Sequence, residues 1–124
     1  MSKFLERTGI MYRLQREAGL ERIYDLLCTL GVRPDHTYFF YTSYALYLSV
    51  ENPDRLHLVS KWLYPDVAAH YGTDWRVVER NIRITIQYVW KAGVLQTMCP
   101  LERRPTPAKF LRLMAELLTS ATAA

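Results

Sequence analysis

The chain is predicted to fold as a compact all-α domain of about six helices with an extra N-terminal helix, and three observations lead there. Apolar residues recur at helical spacing through most of the sequence, and no run alternates apolar and polar residues long enough to argue a sheet. Glycines are few, 5 in 124 residues. Half of the residues are hydrophobic (50%), which suffices for one sizeable core but leaves no room for two ordinary domains.

Lys3 to Arg16 is a weak helical pattern interrupted by Thr8-Gly9, readable as an arm or a frayed helix. From Glu17 to Leu30 the apolar positions Leu20, Ile23, Tyr24, Leu27 and Leu30 share a face, and Gly31 stands where a glycine commonly ends a helix. Thr37 to Val50 is rich in aromatics, with Tyr38, Tyr41, Tyr44 and Tyr47 three apart, and reads as the central buried helix. Tyrosine tolerates both core and rim, so this row is expected to pack half-buried, with base stacking as the other reading. Asn52-Pro53 is a cap followed by proline at the first helical position, opening a helix through Leu56, Val59, Trp62 and Leu63.

Pro65 starts the next short helix, which stops at Gly72. Thr73 or Asp74 can cap the long helix that follows, from Asp74 to Ala92. At about 100° per residue, Val78, Ile82, Thr85, Ile86 and Val89 fall on one arc of it and Arg76, Arg80, Arg83, Gln87 and Lys91 on the other. A short helix, a glycine turn and a longer basic helix make a helix-turn-helix outline. Gly93 ends that helix, Val94 to Cys99 forms a short turn or helix, and Glu102-Arg103-Arg104-Pro105 is an exposed basic loop. Thr106-Pro107 then launches Ala108 to Thr119, with Phe110, Leu111, Met114, Leu117 and Leu118 as its packing stripe. Residues 120–124 are expected to be a disordered tail.

The formal net charge is +4, and its placement is informative: residues 1–73 carry eight basic and eight acidic side chains, residues 74–124 eight and four. A localised cationic excess suits a polyanionic partner. Cys28 and Cys99 match no metal-ligand spacing and read as reduced thiols of a cytoplasmic protein. His36, His57 and His70 are isolated from other ligands, so neither metal nor cofactor is expected. There is no nucleophile elbow, phosphate-cradling glycine loop or carboxylate pair, and no enzyme is predicted. The longest uncharged stretch, 37 to 50 with His36, is shorter than the roughly 20 residues of a membrane span. Trp62, Trp75 and Trp90 read as core anchors, although Trp75 stands where a large apolar side chain can touch a thymine methyl.

The run Leu63-Tyr64-Pro65-Asp66-Val67-Ala68-Ala69-His70-Tyr71, then Arg76-Val77-Val78-Glu79-Arg80-Asn81-Ile82-Arg83 and Val89-Trp90-Lys91-Ala92-Gly93, resembles the C-terminal DNA-binding effector domain of the stage-zero sporulation response regulator of endospore-forming Firmicutes. Arg104-Pro105-Thr106-Pro107-Ala108-Lys109-Phe110 resembles that family's entry to its last helix, and the likeness spans roughly Leu30 to Leu118. It implies a six-helix effector domain over residues 31–119 that binds promoter DNA through the second helix of a helix-turn-helix, commonly as tandem copies on repeated sites. Residues 1–30 would be a helical extension in the place of the family's receiver domain, with none of the aspartates a receiver needs. The motif itself departs at one place. The family's arginine two residues before the motif glutamate is here Val77, and Arg76 occupies the neighbouring position, about 100° away on a helix.

The residues expected at base edges are Arg76, Glu79 and Arg80, and those expected at phosphates are Arg83, Lys91, Arg103 and Arg104. Arg80 suits guanine O6 and N7, and Glu79 can accept from cytosine or orient a neighbouring arginine. The bland reading is a solvated face with Glu79 and Arg83 as an i,i+4 pair. The expected partner is double-stranded DNA, bound by a stand-alone transcription regulator, with a homodimer on DNA compatible with paired sites. The alternative is a protein-interaction module that sequesters or modulates a full-length regulator or RNA polymerase.

Overall fold

The computed structural model describes residues 19–123. They form α1 (19–29), α2 (Thr37–Glu51), a 3-10 helix (Pro53–His57), α3 (Val59–Trp62), α4 (Tyr64–Tyr71), α5 (Trp75–Ala92), α6 (Val94–Met98) and α7 (Pro107–Ala123), with no strand among the described residues. The all-α class and the helix-turn-helix order are as the periodicity predicts. The expected pattern from Lys3 to Arg16 lies outside the described residues.

Helix α1 closes as its sequence dictates. The Gly31 N–H donates to the Cys28 carbonyl (3.1 Å) and the Val32 N–H to the Leu27 carbonyl (3.0 Å), the paired bonds of a glycine-ended helix. Gly31 has φ 101°, and a Cβ there would lie 2.5 Å from the Ala92 Cβ. Backbone conformation and close approach both require glycine, and the α1–α2 turn thereby rests on the C-terminal end of α5. Ile23, Leu27 and Leu30 belong to the single core cluster, so the apolar face of α1 covers the core.

Helix α2 is the centre of the fold, packing against α4, α5, α7 and the 3-10 helix. Phe39, Ala45 and Leu46 are buried, as are the hydroxyls of Ser43 and Ser49, which donate to the carbonyls of Phe39 and Ala45 one turn earlier. The tyrosine row packs as expected. The Tyr41 ring lies 4.5 Å from that of Tyr71, and the Tyr44 ring 4.0 Å from that of His70, both partners being on α4. Where α2 crosses α5, the Thr42 and Thr85 hydroxyls meet at 2.7 Å, and Thr85 Oγ1 lies 3.2 Å from the Tyr38 carbonyl. With Thr42 donating, Thr85 keeps its own proton for that carbonyl. The Asn81 carbonyl one turn earlier on α5 lies 3.1 Å from the same Thr85 Oγ1, so the two buried hydroxyls are satisfied where the helices meet.

Three expectations are corrected. The helix expected from Pro53 through Leu63 is two pieces, because Leu58 (φ −152°, ψ 82°) leaves helical space between the 3-10 helix and α3. The break is held by Arg55, which donates to the Trp62 carbonyl (2.9 Å) and pairs with Asp66 of α4. The Asn52 cap itself is present, accepting from the Asp54 N–H. Pro105 is buried, unlike the exposed Glu102, Arg103 and Arg104 of the same loop, immediately before the Thr106 cap of α7. Helix α7 continues past Thr119 to Ala123, where the tail contains no glycine or proline to stop it.

Candidate nucleic-acid interface

The site is built by the turn between α4 and α5. Helix α4 ends at Gly72 (φ 65°), whose N–H points at the Ala69 carbonyl while the Thr73 N–H donates to the Ala68 carbonyl at 2.9 Å. Asp74 then caps α5, its carboxylate accepting from the Arg76 N–H at 2.8 Å. Of the two caps the sequence allowed, Asp74 is the one used. Only a few residues separate the helices, so the start of α5 is held against α4 and leaves along a direction set by buried Val67, Ala68, Val78 and Ile82.

Helix α5 divides as the periodicity predicts. Val78, Ile82, Thr85, Ile86 and Val89 are buried, and Arg76, Arg80, Arg83, Gln87 and Lys91 are exposed. Asn81 is also buried, its side-chain amide donating to the Val77 carbonyl at 2.8 Å. Trp75, Arg76, Glu79, Arg80 and Arg83 together line one open groove of about 290 Å³ on the outer face. The structure therefore brings together four of the seven expected contact residues. Lys91 stands on the same helix about 16 Å beyond Arg80 at the rise of an α-helix. Arg103 and Arg104 are exposed in the loop between α6 and α7, outside that groove.

Within the groove the charges are already arranged. Glu79 accepts from both Nε (3.1 Å) and Nη2 (2.8 Å) of Arg83, a forked contact that holds the guanidinium against the helix. Arg80 makes no ion pair among the described residues. The Arg76 guanidinium carbon lies 5.5 Å from the centroid of the Trp75 ring. A cation in the first turn opposes the helix dipole, and the Asp74 carboxylate and the indole face offset this.

Within electrostatic reach of Glu79 and Arg83 is Tyr64, the first residue of α4, only 2% exposed. Burial, reinforced by the nearby Glu79 carboxylate and opposed by Arg83, pushes its hydroxyl up to about 12. Tyr71 at the other end of α4 is also raised to about 12, by burial and by the neighbouring tyrosines. Both stay neutral at physiological pH.

The tryptophan expectations need revision. Trp62 is 45% exposed at the end of α3 and Trp75 36% exposed at the start of α5, so neither is a core anchor; Trp90 is half-buried. Each exposed ring sits on the first or last turn of its helix, where neighbouring turns cannot cover a side chain of that size. Trp75 is the groove residue absent from the expected contact set. Its place one residue after the cap and beside Arg76 was the signal.

Among the described residues, no helix is long and apolar enough to cross a membrane, and no group of three His, Cys, Asp or Glu side chains is placed to hold a metal ion. The family model described as the sporulation initiation factor Spo0A C terminal matches residues 23–118, from within α1 to within α7. That span contains the α4–turn–α5 unit and its groove. With most of the chain covered and the fold in agreement, the protein belongs to the Spo0A C-terminal family of DNA-binding sporulation effector domains.

Proposed function

We propose that this chain is a sequence-specific transcription regulator that lays the N-terminal half of α5 in the major groove of DNA. The observation that carries this reading is the outward groove lined by Arg76, Glu79, Arg80 and Arg83 on a helix whose other face is core. Arg76 and Arg80 address guanine edges, and Glu79 accepts from a cytosine amino group or keeps Arg83 aimed. Arg83, Lys91, Arg103 and Arg104 meet phosphates and set register and orientation. Repeated sites would then be occupied by two copies.

The test is fluorescence anisotropy with labelled duplexes carrying repeats of the family's recognition element, against scrambled duplexes at the same salt. Tighter binding to the repeats by a factor of 1,000 or so is expected, the lower end of ordinary specificity ratios. Equal and weak binding to both overturns the reading.

A further inference from the structure

Glu79 has three arginines near it along the helix, at positions 76, 80 and 83, and bonds twice to Arg83. Among the described residues the Arg76 guanidinium has no carboxylate partner, and it lies instead over the ring of Trp75. At 5.5 Å the guanidinium is within cation–π reach of the indole, and that contact takes none of its N–H donors. The indole is itself partly exposed, lines the same groove and is the first residue of α5 after the Asp74 cap. An apolar surface of that size at the reading end of a groove helix has one complementary group among base edges in the major groove, the C5 methyl of thymine.

Resting on the DNA reading above, we infer that Trp75 determines specificity: its exposed edge contacts a thymine methyl while its face holds Arg76 against the neighbouring guanine. Trp75 and Arg76 then act as one reading unit. Val77, one residue on, points about 100° away and takes no part.

The experiment uses the full chain and the best duplex recovered from a random pool, with each thymine replaced in turn by deoxyuridine, which lacks only the methyl. For the unmodified protein, one position should weaken about fourfold, the worth of one buried methyl-sized group. Trp75→Ala should bind the thymine and uracil duplexes equally, and Trp75→Phe should keep part of the discrimination. Far-UV circular dichroism checks that both variants retain their helices. The salt slope of Trp75→Ala should match that of the unmodified protein, because an indole neutralises no phosphate. Insensitivity of the unmodified protein to every uracil substitution overturns the inference, as does undiminished sensitivity in Trp75→Ala; the first arm decides alone if that variant does not fold. Preference for the selected duplex over a scrambled one reports separately on DNA recognition, and its absence overturns both readings.

Discussion

Helices α2 and α5 cross at the Thr42–Thr85 contact and are of similar length, yet they answer to opposite demands. Helix α2 packs against four other elements, and its tyrosine row finds partners within the molecule, Tyr41 and Tyr44 on α4 and Tyr38 on Tyr88 of α5. Helix α5 is covered on one side, and its arginine row faces outward. A row of chemically capable side chains is a candidate site only where the fold leaves it unspent. Tyrosines on α2 had the composition of a stacking surface, but they serve packing. Arg76 and Arg80 on α5 remain available.

The sharpest way to separate the two helices is to truncate each. Phe39→Ala on α2 removes a ring that is 1% exposed, and a loss of about 3–5 kcal/mol is expected in urea unfolding. The exposed Arg80 should leave the urea midpoint unchanged when replaced by alanine. A comparable destabilisation from both would erase the distinction.

Tyr64 tests the buried start of α4 beside α5. Its hydroxyl titrates near 10 when unfolded and near 12 in the fold, so the neutral form is the one the structure favours. That contribution is intact below pH 10 and is lost as pH rises from 10 towards 12, by about 3 kcal/mol in all. Tyr64→Phe should flatten that part of the alkaline stability profile measured by denaturant titration. A profile unchanged by the substitution would place the effect elsewhere.

On the outward face, Arg80→Ala should lower DNA affinity by about 1–3 kcal/mol and relax preference at one base pair. Lys91→Ala should instead weaken all duplexes alike and reduce the salt slope by about 1. Anisotropy titrations at several salt concentrations distinguish the two, and uniform weakening by both would demote Arg80 to a phosphate contact.

The smallest expected effect is the Glu79–Arg83 pair. A double-mutant cycle with Glu79→Gln and Arg83→Gln should give a coupling of only a few tenths of a kcal/mol to stability, since Arg83 is 58% exposed. The same cycle scored on DNA affinity should couple more strongly if Glu79 aims Arg83. Equal coupling in both assays would leave the pair as a surface ornament of the helix.

Local chemistry made much of this legible beforehand. The caps at Asp74 and Thr106, the glycines at 31, 72 and 93, and the two arcs of α5 follow from short-range rules that a linear reading applies. Non-local contacts escaped it. Leu58 breaks its helix where Arg55 ties the Trp62 carbonyl to Asp66, and Trp62 and Trp75 lie at the surface although a large apolar ring is usually core.

From residue order alone come the helical class, the positions of the turns, the family likeness and the cationic stripe, because periodicity and capping act over one or two turns of chain. Tertiary packing alone decided that Tyr41 and Tyr44 of α2 are consumed by α4, that Thr42 and Thr85 meet where α2 crosses α5, and that Trp75 and Arg76 share the open groove with Arg80. The reason is that exposure belongs to the whole assembly of helices: a side chain is free only if no distant segment returns to cover it.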